Sequence, residues 1–134
     1  MTKLVAALAL AVLPACSGDP EPVARDLAHV TSGKGQFSAA FTPHPDPPTT
    51  GDNALDITLR DAHGSPVEGA ALQIEPWMPG HGHGSPVVPA IGELGGGSYH
   101  ATQIDFIMPG YWELTVAVTA HDVRDELVVA YDVK

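Results

Sequence analysis

Apolar residues recur at every second position through much of the chain's second half. Across residues 111–120 the repeat runs through Trp112, Leu114, Val116 and Val118, and across 124–133 through Leu127, Val129, Tyr131 and Val133. A period of two puts alternate side chains on one face of an extended strand, so both segments predict half-buried β-strands. Residues 54–60 alternate in the same way, with Leu55, Ile57 and Leu59 on one face and Asp56 and Thr58 on the other. Residues 36–41, 70–77 (Leu72 and Ile74 inward) and 98–106 complete the predicted strands. Between them lie Pro43-His-Pro-Asp-Pro-Pro48, the Asp61-Ala-His-Gly-Ser-Pro66 turn, a Gly/Pro-rich loop over 79–89 and the Gly95-Gly-Gly97 turn. Proline presets a turn's φ and glycine supplies positive φ where one is needed, so these stretches punctuate the strands. No helical period is sustained anywhere. Short strands with regularly spaced turns predict an all-β protein, an antiparallel β-sandwich.

The N-terminus has a different texture. Lys3 precedes an almost wholly Leu, Ala and Val run from Leu4 to Leu13. At about ten residues this run is shorter than the roughly 17–25 that a membrane-spanning helix needs. It ends in Leu13-Pro14-Ala15-Cys16, which resembles the bacterial lipobox, where cleavage precedes a lipidated cysteine. The expected organisation is a lipoprotein signal peptide over 1–15, a lipidated tether over 16–35 and one domain over 36–134. Cys16 is the only cysteine, so no intramolecular disulfide can form. Several acyl chains on Cys16 would hold the mature protein stably. Its expected location is the cell envelope, anchored to a membrane that faces the periplasm or the exterior.

Charge narrows the partners. Sixteen acidic residues stand against six basic ones, a formal net charge of −10, and loss of Lys3 with the leader makes it −11. Such a surface disfavours nucleic acid and gives no electrostatic attraction to anionic lipid. The acids are scattered, Asp125-Glu126 being the only adjacent pair, and read as a solvated surface.

The candidate chemistry lies in Met78-Pro-Gly-His-Gly-His-Gly84 and in a second triplet, Met108-Pro109-Gly110, that runs into Tyr111-Trp112. If the first stretch is extended, His81 and His83 at i, i+2 project to one side. The sandwich could bring Met108 alongside. Met78, His81, His83 and Met108 would then offer two sulfur and two nitrogen donors, a set suited to copper and above all to soft Cu(I). A plainer reading also stands: both methionines seal the core and both histidines are exposed loop residues. Trp77 and Trp112 are a candidate interaction surface on the same logic that makes exposed aromatics common docking anchors. His29, His44, His63, His100 and His121 read as ordinary tether, loop, turn or surface residues. No cysteine nucleophile, phosphate-cradling glycine loop or Gly-x-Ser-x-Gly elbow is present, so an enzyme is not expected.

These motifs occur in a particular order: Gly51-Asp-Asn53, Asp61-Ala-His-Gly64 with Pro66-Val67, Met78 to Gly84, Gly97-Ser-Tyr99, and Phe106-Ile-Met-Pro-Gly-Tyr-Trp112 with Glu113-Leu114. In that order they resemble the YtkA-like domain, a group related to FixH proteins, over roughly residues 37–133. The resemblance implies an immunoglobulin-like β-sandwich of about seven strands. It also implies a link to haem-copper oxidase maturation, in which FixH proteins are implicated. The chain departs from FixH in having a lipid anchor in place of an N-terminal transmembrane helix. Two functions remain open. One is a membrane-tethered metal-binding module, a copper carrier or assembly helper whose partner is a metalloenzyme or copper-handling protein. The other is an envelope protein-interaction domain that binds no metal.

Overall fold

The structure, a computed structural model, describes residues 27–134; the leader, Cys16 and the tether as far as residue 26 lie outside the described residues. The strands are β1 (Val30–Thr31), β2 (Phe37–His44), β3 (Gly51–Asp61), β4 (Ala71–Met78), β5 (His83–Gly84), β6 (Ala90–Gly95), β7 (Ser98–Phe106), β8 (Gly110–Ala120) and β9 (Val123–Val133). They form two antiparallel sheets, ordered β1-β2-β3-β7-β6 and β5-β4-β8-β9. This is the all-β, immunoglobulin-like sandwich expected. Its seven strands of six residues or more are joined by two short ones, β1 and β5, of two residues each.

Alternation explains the core. Leu55, Ile57 and Leu59 of β3 and Ile104 and Phe106 of β7 face Trp112, Leu114, Val116 and Val118 of β8 and Leu127 and Val129 of β9. Each of these side chains is at most 2% exposed. Full burial of one such aliphatic or aromatic side chain is worth roughly 1.5–3 kcal/mol. The β8–β9 ladder is unbroken from Gly110↔Val133 to Ala120↔Val123.

Three features depart from the sequence reading. Strand β2 does not stop at the proline-rich stretch but continues through Pro43 to His44. Strand β1 covers β2 only at Ser38 and Ala39, and Phe41 N–H donates to the Leu27 carbonyl, so the next edge-facing position, Pro43, has no partner to disappoint. The expected 79–89 loop contains the two-residue β5, and a sixth strand, β6, runs along the edge of the larger sheet. Finally, the fold begins before residue 36: β1 pairs with β2, and Ser32 is buried against Asp125.

Candidate metal centre

Both Met-Pro-Gly triplets end up at one end of the sandwich, for a local reason. Met78 is the last residue of β4 and Gly110 the first of β8, on neighbouring strands. The Met78 side chain is buried and lies across Gly110, where a Cβ would sit 2.5 Å from Met78 Cε. Gly110 also has φ +132°, a conformation that side chains with a Cβ rarely adopt. The glycine of the second triplet therefore makes room for the methionine of the first.

After Met78 the chain turns instead of running on extended. The amides of His81 and Gly82 both donate to the Met78 carbonyl, at 3.1 and 2.9 Å. The chain then pairs back on itself as β5, with His83 opposite Met78 and Gly84 opposite Trp77. Directly opposed residues in an antiparallel pair share a face, so His83 projects to the same side as Met78. Gly84 lies so close to β4 that a Cβ there would be 2.7 Å from the Pro76 carbonyl oxygen.

Trp112 links the two loops. Its ring centroid lies 5.8 Å from that of His83, edge-on, and its indole N–H donates to the Met108 carbonyl at 2.9 Å. The His81 ring lies 5.7 Å from the His83 ring. His83 is half-buried and His81 exposed. The Nδ1 of His83 is 3.3 Å from the Gly84 carbonyl oxygen; a carbonyl only accepts, so in a neutral ring this contact places the proton on Nδ1 and the lone pair on Nε2. Met108 is half-buried, packed against the core.

The His81, His83 and Trp112 rings thus lie in succession, the Met78 side chain lies over Gly110, and the Met108 backbone is held to the Trp112 indole. Among the described residues, no three His, Cys, Asp or Glu side chains are set to hold a metal ion. No carboxylate or third imidazole among the described residues joins His81 and His83 in a metal-holding group; the other candidate donors are the thioethers of Met78 and Met108. By their chemistry, thioether and imidazole donors would suit Cu(I) and would be poor for hard cations such as Mg²⁺ or Ca²⁺.

The expected interaction surface is corrected in one member. Trp112 is wholly buried (0% exposed), because it is in phase with the inward residues Leu114, Val116 and Val118. Trp77 points out of the opposite face of β4 and is 40% exposed. His121 lies at the far end of the sandwich, in the turn between β8 and β9.

Sequence reasoning missed a second histidine cluster. Asp56 on β3 bonds His44 on β2 through Oδ2 at 2.7 Å and His100 on β7 through Oδ1 at 2.6 Å. The hydrogen bonds from His100 and His44 hold the Asp56 carboxyl below its usual range. All three side chains are about half exposed on the outer face, where they tie three strands together. Alternation of β3 and β7 gave the face of Asp56 and His100, but the pairing required the register Thr42↔Asp56↔His100.

A family model described as YtkA-like matches residues 31–117. The chain belongs to the YtkA-like family. The YtkA-like match starts within β1 and ends within β8, so it takes in both Met-Pro-Gly triplets, His81, His83 and Trp112. No curated protein and no solved structure matches the chain.

Proposed function

We propose that this chain is a membrane-tethered, extracytoplasmic copper-binding module that carries Cu(I) and hands it on to a metalloenzyme or another copper-handling protein. The supporting observation is the convergence at one sandwich end of Met78 over Gly110, His83 opposite Met78, and the Met108 backbone held by Trp112. Copper is the cargo. Thioethers from Met78 and Met108 and imidazole from His83 and His81 would hold it, and hand-off would proceed by stepwise ligand exchange with the acceptor. Neutral donors on an acidic protein suit a monovalent soft cation. Cys16, as a lipidated residue, would keep the carrier at the membrane surface where such acceptors reside. A binding and transfer role asks for no catalytic base or nucleophile, consistent with the reading of the chain as a non-enzyme.

The test is titration of the detergent-solubilised full chain with Cu(I) in competition with a chromophoric chelator. Stoichiometric binding that disappears in the His81→Ala/His83→Ala double variant is the expected result. No binding at micromolar copper would sink the carrier reading. Trp77, exposed on the outer face of the smaller sheet, favours the second reading, an envelope interaction domain. In that case Trp77→Ala would leave the fold intact and abolish capture of the partner while copper binding stayed nil.

A further inference from the structure

We propose that the two histidines of the Met78–Gly84 stretch have unequal roles: His83 is the retained ligand, binding through Nε2, and His81 is the exchange ligand through which Cu(I) arrives and leaves. This rests on the copper-carrier reading and goes beyond it by assigning the order of hand-off.

The two side chains are only one residue apart, yet their settings differ in every respect that governs ligand exchange. His83 belongs to a strand. Its backbone is paired opposite Met78, its neighbour Gly84 is pressed against Pro76, and its ring abuts the fully buried Trp112. The contact from Nδ1 to the Gly84 carbonyl orients the ring, as a second-shell carbonyl orients the ligating histidines of metal sites. A ligand so held loses little further freedom on binding and does not leave easily.

His81 sits at the tip of the turn. Its own amide and that of Gly82 donate to the Met78 carbonyl, and its side chain is exposed. A Cβ on Gly80 or Gly82, the residues on either side, would meet nothing within 4 Å, so the tip borders open space. Glycines there also leave the backbone its widest conformational choice. His81 can therefore swing toward His83, 5.7 Å away between ring centroids, or away from it, without disturbing packing. An incoming acceptor ligand would displace the exposed imidazole first, while Met78, Met108 and His83 kept hold of the ion. Exchange then passes through a bound intermediate and never through free copper.

The experiment compares wild type, His81→Ala, His83→Ala and His83→Gln as full chains in detergent. Each is loaded with Cu(I), its affinity is measured against bicinchoninate, and the rate of copper transfer to added bicinchoninate is followed by stopped flow. Thermal melts confirm that each variant is folded, and the glutamine variant keeps side-chain bulk against Trp112 should alanine loosen the loop. The expected result is that both His83 variants lose more than the roughly 10–100-fold that removal of a second-shell support costs. His81→Ala should lose less than about 10-fold in affinity and transfer its copper faster, because the exchange position is already open. Equal losses from the two positions, or transfer from His81→Ala no faster than wild type, would overturn the assignment while leaving the copper reading in place. Failure of the wild type to bind Cu(I) would remove both.

Discussion

Gly110 carries two demands at once, and they can be separated experimentally. Its φ of +132° disfavours any residue with a Cβ, and its missing Cβ leaves the space that Met78 Cε fills. Overpacking a buried contact costs roughly 1–3 kcal/mol, and the backbone strain adds to it. Gly110→Ala is therefore expected to lower stability by a few kcal/mol (~2–4) in urea denaturation, with a matching loss of Cu(I) affinity as Met78 is pushed aside. If the steric part is real, Met78→Ala should restore some of it, and the double variant should be less unstable than the two single losses added together. Strict additivity would mean that strain at residue 110 is the whole effect. Proline and glycine at strand ends are ordinary punctuation, but here the second triplet's glycine is shaped to the first triplet's methionine, while Gly80 has open space around it.

At the level of elements, Asp125 shows what a solvated-looking acid can do. It is buried at the start of β9 and accepts hydrogen bonds from Ser32 Oγ at 2.6 Å, from the amides of Lys34 and Gln36, and from the Glu126 amide at 2.9 Å. Burial, the largest single influence, pushes its pKa up; the bonds from Ser32, Glu126, Gln36 and Lys34 together outweigh that and hold it at about 2. A depressed carboxyl pKa stabilises the fold above the ordinary carboxylate value of 3.8, and the contribution is lost as pH falls through about 2. Asp125→Ala should free the 32–36 loop and β1 at neutral pH. Hydrogen exchange at the Lys34 and Gln36 amides should then accelerate while the β8–β9 ladder keeps its protection. Wild type should loosen the same loop only in strong acid. Unchanged protection in the variant would show that β1 pairing alone holds this segment. None of this was legible in the chain, because the acceptor and the Lys34 amide are 91 residues apart in sequence. Strands β3, β8 and β9 were legible, since their alternation is long and uninterrupted. Strands β5 and β6 were not: a His-Gly pair, and a stretch of which all but Ile91 is exposed, have no periodicity, and both are held by the strands they meet. The four candidate donors were named from the two Met-Pro-Gly triplets and the His-Gly-His spacing. The placement of His83 opposite Met78 depends on a turn at Met78 and on β4–β5 register, neither of which the i, i+2 spacing encodes.

For the whole molecule, the donors' position beside the segments that join the two sheets matters more than their number. The segment holding Met108 crosses from β7 in the larger sheet to β8 in the smaller, and the loop that starts at Met78 in β4 returns to the larger sheet at β6. An ion held by Met78, His83 and Met108 would staple these two crossings at one end, while the Asp56 carboxylate ties β2, β3 and β7 on the outer face of the larger sheet. The two ties differ in strength: exposed ion pairs are worth ~0–1 kcal/mol, whereas a ligand that binds only the folded state adds its full mass-action term. At free Cu(I) a hundred times the dissociation constant that term is about 2.7 kcal/mol. In a domain of this size, where each kcal/mol moves the midpoint by several degrees, thermal unfolding should shift upward by ~10 °C under reducing conditions. His83→Ala should melt at the same temperature with and without copper. If instead His83→Ala gained as much as wild type, the ion would be seated elsewhere on the chain. Tight binding with no shift at all would mean that the unfolded chain's methionines and histidines hold Cu(I) as well as the folded end does, and that the convergence around Trp112 adds nothing to affinity.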